Sequence, residues 1–234
     1  MKYSLLIFCS SILFAQNSTI KYVAMQIEEE AFQKNLTIDA RKSFEMADDL
    51  VSTVKIELIF NDSISVFKLE DNFTPNSYEE RLAVTKAGLN VRRYMNLTEN
   101  KSFYNNNGNP IMGEKEFLVY SDLDFKWNIL TEEKKINNFT AIKAIGTANK
   151  NDKIVKVIAW FAPELPYSHG PNGIGNLPGI ILEMQIGNIH YMAKEILLKN
   201  SVTTIEIPKK GKLIVTEDFY KLQKERFEDF EKGF

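Results

Sequence analysis

Cysteine is almost absent from the 234-residue chain: Cys9 is the only one, and it lies in the apolar stretch at the N-terminus. Phe8 precedes it, where a lipoprotein signal requires a small residue, so no lipid anchor is expected. If the stretch is removed as a leader, the mature protein contains no cysteine. Disulfide bonds, thiolate metal sites and cysteine nucleophiles are then excluded, and packing of the core must supply the stability.

The first fifteen residues have the composition of a secretory leader. Lys2 provides the positive start, residues 3–14 are apolar apart from serines, and Ala15 is small enough to precede a cleavage that leaves Gln16 first. The stretch is shorter than the roughly 20 residues that cross a bilayer. We therefore predict residues 1–15 to be a signal peptide. The protein is expected to be exported, and to be periplasmic, associated with the outer membrane or secreted.

The chain also lacks an excess of positive charge, and it has few histidines. Its 29 basic and 31 acidic side chains give a net charge of -2. Nucleic-acid partners favour a basic surface, so none is expected, and short basic clusters such as Arg92-Arg93 are interpreted as solvated surface. His169 and His190 are the only histidines. The sequence contains no G-x-S-x-G, H-E-x-x-H or phosphate-binding motif, so no catalytic residue, metal site or cofactor is assigned.

Short segments in which apolar and polar residues alternate fill most of the remaining chain, and this pattern is typical of strands. Turn residues separate several of them, as at Asn61-Asp62, Asn107-Gly108 and Gly187-Asn188. Helical spacing of apolar residues predicts a helix at 40–50 and an amphipathic helix at 219–234. The predicted strands cover 54–60, 64–66, 89–95, 101–105, 116–120, 125–130, 139–147, 154–161, 180–186, 189–198 and 202–207.

These elements predict a single β-rich domain over residues 16–234. We expect the α+β class: a predominantly antiparallel, curved β-sheet with a C-terminal helix. By analogy, the sheet would form a half-barrel like that of the lipoprotein-carrier folds of the periplasm.

One irregular segment, residues 162–179, interrupts the strands, and we call it the motif loop. It contains four of the seven prolines and four of the eleven glycines. Prolines fix φ and glycines adopt conformations that other residues avoid, so the loop is expected to be rigid. Two explanations stay open: a rigid connection that plugs an open end of the curved sheet, or a preformed lip of a binding cavity or partner surface.

The motif loop and its flanks resemble the signature of the GLPGLI family, secreted proteins of Gram-negative bacteria. The resemblance covers 118–185. Asn176 replaces the first glycine of the naming motif, and Asn also tolerates left-handed backbone. Ala141 stands where many relatives have a cysteine. The matching segments are Trp127-Asn128-Ile129, Lys135-Ile136, 139–144, 160–166, Gly170-Pro171 and 176–182.

The resemblance implies export and a fold, but the family has no established activity. If the motif loop binds a ligand, its residues are the candidates, supported by Trp127 and Lys143. Trp127 is expected in the core or in a cavity wall, and Lys143, within an apolar run, is expected either to face solvent or to pair with a carboxylate. The candidate binding residues are Trp160, Gly170, Pro171, Asn176, Leu177, Pro178, Gly179 and Ile180.

The absence of catalytic motifs and the aromatic-rich strands favour a non-catalytic envelope protein. We expect it to bind a lipid or another apolar ligand in a cavity of the curved sheet, or an outer-membrane protein partner. The alternative is an envelope hydrolase that uses carboxylates or His169. That alternative requires a polar cleft where two or more acids, or His169 and an acid, approach within hydrogen-bond distance.

Overall fold

The computed structural model describes residues 16–27, 37–106, 116–150, 153–201 and 204–232. The predicted signal peptide, the Asn107-Gly108 turn and the last two residues of the predicted C-terminal helix lie outside the described residues. Among the helices in the described ranges, none is both long and apolar enough to cross a membrane.

The described residues form one sheet of twelve strands that is not closed, together with three α-helices. The strands pair in the order β12-β6-β5-β4-β3-β2-β1-β11-β10-β9-β8-β7. Every neighbouring pair is antiparallel except β12 and β6, which are parallel. The predicted α+β class, with a curved sheet and a C-terminal helix, is confirmed. The strands are β1 (Asn17–Gln26), β2 (Ile56–Phe60), β3 (Ile64–Leu69), β4 (Arg93–Asn96), β5 (Lys101–Asn106), β6 (Phe117–Asp122), β7 (Asn128–Ile136), β8 (Phe139–Lys150), β9 (Lys153–Ala162), β10 (Ile180–Ile186), β11 (Ile189–Ser201) and β12 (Lys212–Val215); the helices are α1 (Ile38–Val51), α2 (Tyr78–Lys86) and α3 (Thr216–Lys232).

Strand β1 joins the two halves of the sheet. It pairs on one side with β2, which begins the β2–β6 half, and on the other side with β11, which ends the β7–β11 half. Ile20, Tyr22 and Ala24 alternate along β1 and are buried. The sequence analysis did not assign this strand, although its alternation is the ordinary signal of a strand with one buried face.

Local signals predicted several elements correctly. The β2–β3 hairpin forms as expected, and the side chain of Asn61 closes its turn by accepting hydrogen bonds from the backbone N–H groups of Ser63 and Ile64. Helix α1 and the Gly187-Asn188 turn also match. Helix α2 was missed, although Ser77 and Glu80 form a capping box at its start, which is a sequence signal for a helix N-terminus.

The prediction of a strand at 202–207 was wrong for the described part, 204–207, which has no regular structure. Pro208 follows this segment; it lacks a backbone N–H and restricts the residue before it. The last strand instead forms at β12, after Gly211. The predicted strand at 89–95 begins later than expected: β4 starts at Arg93, and residues 89–92 between the turn after α2 and β4 are not in a strand.

The buried side chains form two hydrophobic clusters. The main cluster packs α1 and α2 against β1–β3 and β8–β11 and includes Ile20, Leu58 and Ile180. The second cluster lies where α3 covers β5 and β6, around Phe219 and Tyr104. A cleft lies between the two clusters and is lined by residues of both.

Candidate ligand-binding cleft

The motif loop is fastened to its own ends by backbone hydrogen bonds. The N–H of Ile180 donates to Leu165, that of Asn176 to Ser168 and that of Ile181 to His169, each at 3.0 Å. Apolar side chains of the loop and of the strand that follows it enter the main cluster: Leu165, Ile174, Leu177, Ile180 and Ile181. This geometry agrees with the first explanation of the loop, a rigid plug whose side chains complete the core.

Two positions show why the motif needs its particular residues. Asn176 has φ +65°, so Asn does tolerate the left-handed backbone at this position, and its side-chain amide donates to the carbonyl of Leu123. Gly179 has φ +159°, and a Cβ there would lie 2.3 Å from the carbonyl oxygen of Ala162. No other residue fits that approach of backbone to backbone.

Trp127 supports the loop from the upstream block. Its indole Nε1 donates to the carbonyl of Gly175 at 2.8 Å. The ring lies over Gly146, where a Cβ would come within 2.8 Å of it. The two stretches that carry the family resemblance therefore touch in the fold, and Trp127 and Asn176 hold them together.

Trp160 and Lys143 pair across the neighbouring strands β9 and β8, in a network that joins the Trp160 ring to charged side chains of β7–β10. The Nζ atoms of Lys134 and Lys143 lie 4.2 and 5.7 Å from the centroid of the Trp160 ring. Lys134 pairs with Glu183 and Lys143 with Glu132, each at 2.7 Å. Lys143 therefore has a carboxylate partner, the second of its two expected environments, and this network satisfies its own charges.

The two histidines have different environments. His169 is fully buried, its Nε2–H donates to the carbonyl of Asn61 at 2.9 Å, and its ring is tilted against Phe60. Burial lowers the pKa of His169 to about 4, against a smaller opposing effect of the hydrogen bond. His190 lies 2.9 Å from Glu183. Burial acts to raise the pKa of Glu183, but the hydrogen bonds from His190 and a lysine outweigh burial and lower it.

A cleft of about 690 Å³ separates the two hydrophobic clusters. One side is formed by β4, β5, β6 and α3. The other is formed by the end of α2, residues 124–126, β8, the β10–β11 hairpin and part of the motif loop. Asp122, Asp124 and Glu217 are exposed where they border it. The lining is mixed, unlike the apolar cavity expected from the sequence.

The lining of the cleft includes one arginine and three tyrosines: Arg93, Tyr104, Tyr191 and Tyr220. The guanidinium carbon of Arg93 lies 4.2 Å from the centroid of the Tyr104 ring, a cation–π contact. Burial raises the pKa of Tyr104, and a hydrogen bond with Tyr220 adds to the effect, whereas the charge of Arg93 opposes it. Tyr191 is buried and donates to the carbonyl of Ala87 at 2.7 Å.

The cleft contains few of the residues that the sequence singled out. The motif loop contributes Asn172 and Ile174 to the lining, whereas none of the eight candidate binding residues named from the motif lines it. Arg93 was interpreted as solvated surface together with Arg92, and this was wrong for Arg93, which is half-buried. Alternation along a strand sends neighbours to opposite faces, so Arg92 and Arg93 are expected to face apart, although alternation alone does not show which of them faces the cleft.

Within the described ranges, no group of three or more His, Cys, Asp or Glu side chains is arranged to hold a metal ion. The described residues form an open, curved-sheet α+β fold that contains a mixed cleft of ligand size.

Comparison with known proteins gives a partial match to a family model and a likeness of fold. The model of a family described as protein of unknown function (Porph_ging) matches residues 146–183. That range holds the motif loop and its flanking strands but less than half of the chain, and it fits an uncharacterised family. A comparison with curated proteins found no match.

Two solved structures of PNGF-II, in different crystal forms, resemble the fold. One has a TM-score of 0.52 at 11% identity and the other 0.53 at 12%, and each alignment covers 91% of this chain. The alignments cover 34% and 33% of the PNGF-II chains, so this chain spans about a third of their length. At such identity the likeness extends to the fold alone.

Proposed function

We propose that the chain is an exported cell-envelope protein of the GLPGLI type that binds a small amphipathic molecule in its cleft without chemically changing it. One observation carries the proposal: the cleft places an arginine among aromatic rings, whereas the motif loop is occupied with holding the fold. Its volume of about 690 Å³ lies within the ~300–1,000 Å³ of ligand sites in proteins.

The lining favours a ligand with both polar and apolar parts. Phe125, Val91 and Tyr220 are half-buried and offer apolar or aromatic surface, and Ser102 and Asn106 offer polar groups beside them. The sequence predicted a lipid or another apolar ligand. The mixed lining refines that hypothesis to an amphipathic molecule.

The hydrolase alternative has less support. His169 is fully buried and away from the cleft lining, so substrate does not reach its ring. The carboxylates Asp122, Asp124 and Glu217 remain as candidates, but each is exposed to solvent, unlike the enclosed acids of many hydrolase sites.

Export is proposed from the leader composition. If residues 1–15 are removed, mass spectrometry of the protein from its native envelope should give a mature chain that begins at Gln16. A chain that retains Met1 and fractionates with the cytoplasm would contradict this part of the proposal.

Native mass spectrometry tests the binding role. Protein purified gently from its own envelope is expected to carry an added mass of small-molecule size. Thr147→Trp should abolish that mass, because Thr147 lines the cleft and is exposed, so the larger ring fills the space without disturbing the core. Thr131→Trp is the matched control: Thr131 is exposed on β7 and does not line the cleft.

The outcomes separate the candidate functions. A ligand mass present in the Thr131→Trp protein and lost in the Thr147→Trp protein supports the cleft. A bare monomer under all conditions would contradict ligand binding. A co-purified protein in place of a small molecule would favour the outer-membrane partner that the sequence also suggested.

A further inference from the structure

Arg93 lines the cleft and is half-buried beside the buried ring of Tyr104. Its guanidinium contacts the face of Tyr104 at 4.2 Å, and its charge also acts on Tyr191, another cleft residue. The adjacent Arg92 is different: its side chain is 63% exposed and lies 3.7 Å from Asp71. The two neighbouring arginines thus occupy opposite environments.

Arg93 has no described counter-charge, unlike most of the half-buried cations. No described carboxylate pairs with it, and its Nε is buried without a protein hydrogen-bond partner. A guanidinium stays charged at any pH that a protein experiences, and a buried charge without a partner is costly. Most lysines in comparable positions reach a carboxylate: Lys68, Lys86, Lys134 and Lys143. Half-buried Lys101 instead lies 5.0 Å from the centroid of the Tyr120 ring.

A second unsatisfied group lies in the same cleft. Asn172 occupies the 3₁₀ turn Pro171–Gly173 with φ +56°, and its Oδ1 is buried without a protein partner. The turn lies against Arg93, because a Cβ on Gly173 would be 3.7 Å from the Cβ of Arg93. The two ends of an Asn amide exchange by rotation, so Asn172 can donate to an oxyanion or accept from a neighbouring hydroxyl.

From these observations we infer that the cleft recognises an oxyanion, a carboxylate or a phosphate monoester, joined to an apolar chain. The inference rests on the proposed ligand-binding function. Arg93 supplies the charge and a planar pair of donors that fits either oxyanion, and Asn172 adds a hydrogen bond. The chain of the ligand lies along Val91 and Phe125. The carboxylates that border the cleft are exposed and solvated, so they oppose the anion weakly.

Isothermal titration calorimetry of the full chain with four decyl probes tests this directly. The probes are decanoate, decyl phosphate, decanol and decyltrimethylammonium, each below its micelle concentration. We expect both anions to bind at least about tenfold more tightly than the alcohol or the cation, since a desolvated charge-assisted pair contributes that much. Inorganic phosphate alone should bind at least about tenfold more weakly than decyl phosphate, which separates an amphipath from a free anion.

Substitutions in the cleft test whether the preference for anions depends on Arg93 and Asn172. Arg93→Gln should reduce the affinity for both anions at least about tenfold and leave decanol unchanged, whereas the matched control Arg92→Gln should alter neither. Asn172→Asp places a carboxylate in the same cleft and keeps a residue that tolerates positive φ. It should also weaken the anions alone, and it carries the test if circular dichroism shows that Arg93→Gln does not fold.

Two failures are distinguishable. If all four probes bind equally and neither variant changes the affinity for the anions, the oxyanion inference is overturned while the cleft remains a binding site. If no probe binds the wild-type protein, the oxyanion inference falls with the proposed function.

Discussion

The motif loop and the cleft are neighbouring regions with opposite physical character. The loop fastens its backbone to itself, sends Leu177 and Ile180 into the core and uses Asn176 and Gly179 where the backbone requires them. The cleft leaves the Nε of Arg93 without a hydrogen-bond partner in the protein and its permanent charge without a described carboxylate. The loop therefore stabilises the fold, whereas the cleft contains buried polar atoms that lack a hydrogen-bond partner in the protein.

The comparison also shows that a motif of proline and glycine can reflect requirements of the fold and not of a binding site. These residues specify backbone conformations and close approaches, which are requirements of the fold. The side chains that line the cleft come largely from strands and helices outside the motif. Asn172 is the exception, since the loop fixes its position and also presents its amide to the cleft.

The largest effect is expected at Gly179. Gly179→Ala would place a Cβ 2.3 Å from the backbone oxygen of Ala162, so the loop must move and the core must open. We expect the free energy of unfolding to fall by about 4 kcal/mol, measured by urea denaturation. Pro178→Ala, at the exposed neighbouring position, should cost less than about 1 kcal/mol. If both substitutions lowered the free energy of unfolding by the same small amount, the claim that the motif loop stabilises the fold through Gly179 would be contradicted.

A loss of about 3 kcal/mol is expected for Leu177→Ala, because this side chain is buried in the main cluster and truncation leaves a cavity. Urea denaturation measures the loss. The folded fraction should bind decyl phosphate as tightly as wild type. Weakened binding with stability intact would place Leu177 in the ligand site instead.

The acid sensitivity of the loop should depend on His169. Its pKa in the folded state, about 4, lies below the ordinary value of about 6.5, so the unfolded chain binds the proton first as pH falls. Stability is therefore present above pH 6.5 and lost as the pH falls toward 4. Between pH 7.5 and 5 this corresponds to about 2 kcal/mol.

Thermal and urea denaturation at several pH values measure that dependence. His169→Gln should flatten it by about this amount. A pH dependence unchanged by His169→Gln would show that the ring is not buried in its neutral form.

The smallest effect is expected for Trp127→Phe. The change removes the hydrogen bond from the indole to Gly175 and keeps most of the ring packing. The free energy of unfolding should fall by about 1 kcal/mol. A loss near zero would show that the upstream block does not hold the loop, whereas the affinity for decyl phosphate should not change in either case.

Sequence reasoning succeeded where the signal is local. The β2–β3 hairpin and the rigid motif loop follow from alternation and turn residues that lie within a few positions. It failed where distant segments meet, as in the pairing of β1 with β11 and the parallel addition of β12 to β6. Nothing near Asn17 or Lys212 specifies those partners.

The cleft was missed for a related reason. Arg92 and Arg93 are the same residue type at adjacent positions, and only the packing of β4 against β5 decides which one faces Tyr104. Sequence alternation shows that they face apart, but not which face the second cluster and α3 cover. The candidate site could therefore not be chosen before the sheet was assembled.

The most direct test of the account is a ¹H–¹⁵N NMR titration of the full chain with decyl phosphate, followed at arginine Nε–H and tryptophan indole signals. The account predicts that Arg93 Nε–H and the backbone N–H of Asn172 and Gly173 shift with saturation, while the indole of Trp160 and the backbone of Leu177 stay in place. Shifts concentrated at Trp160 or in the 176–179 segment, with Arg93 unaffected, would contradict it.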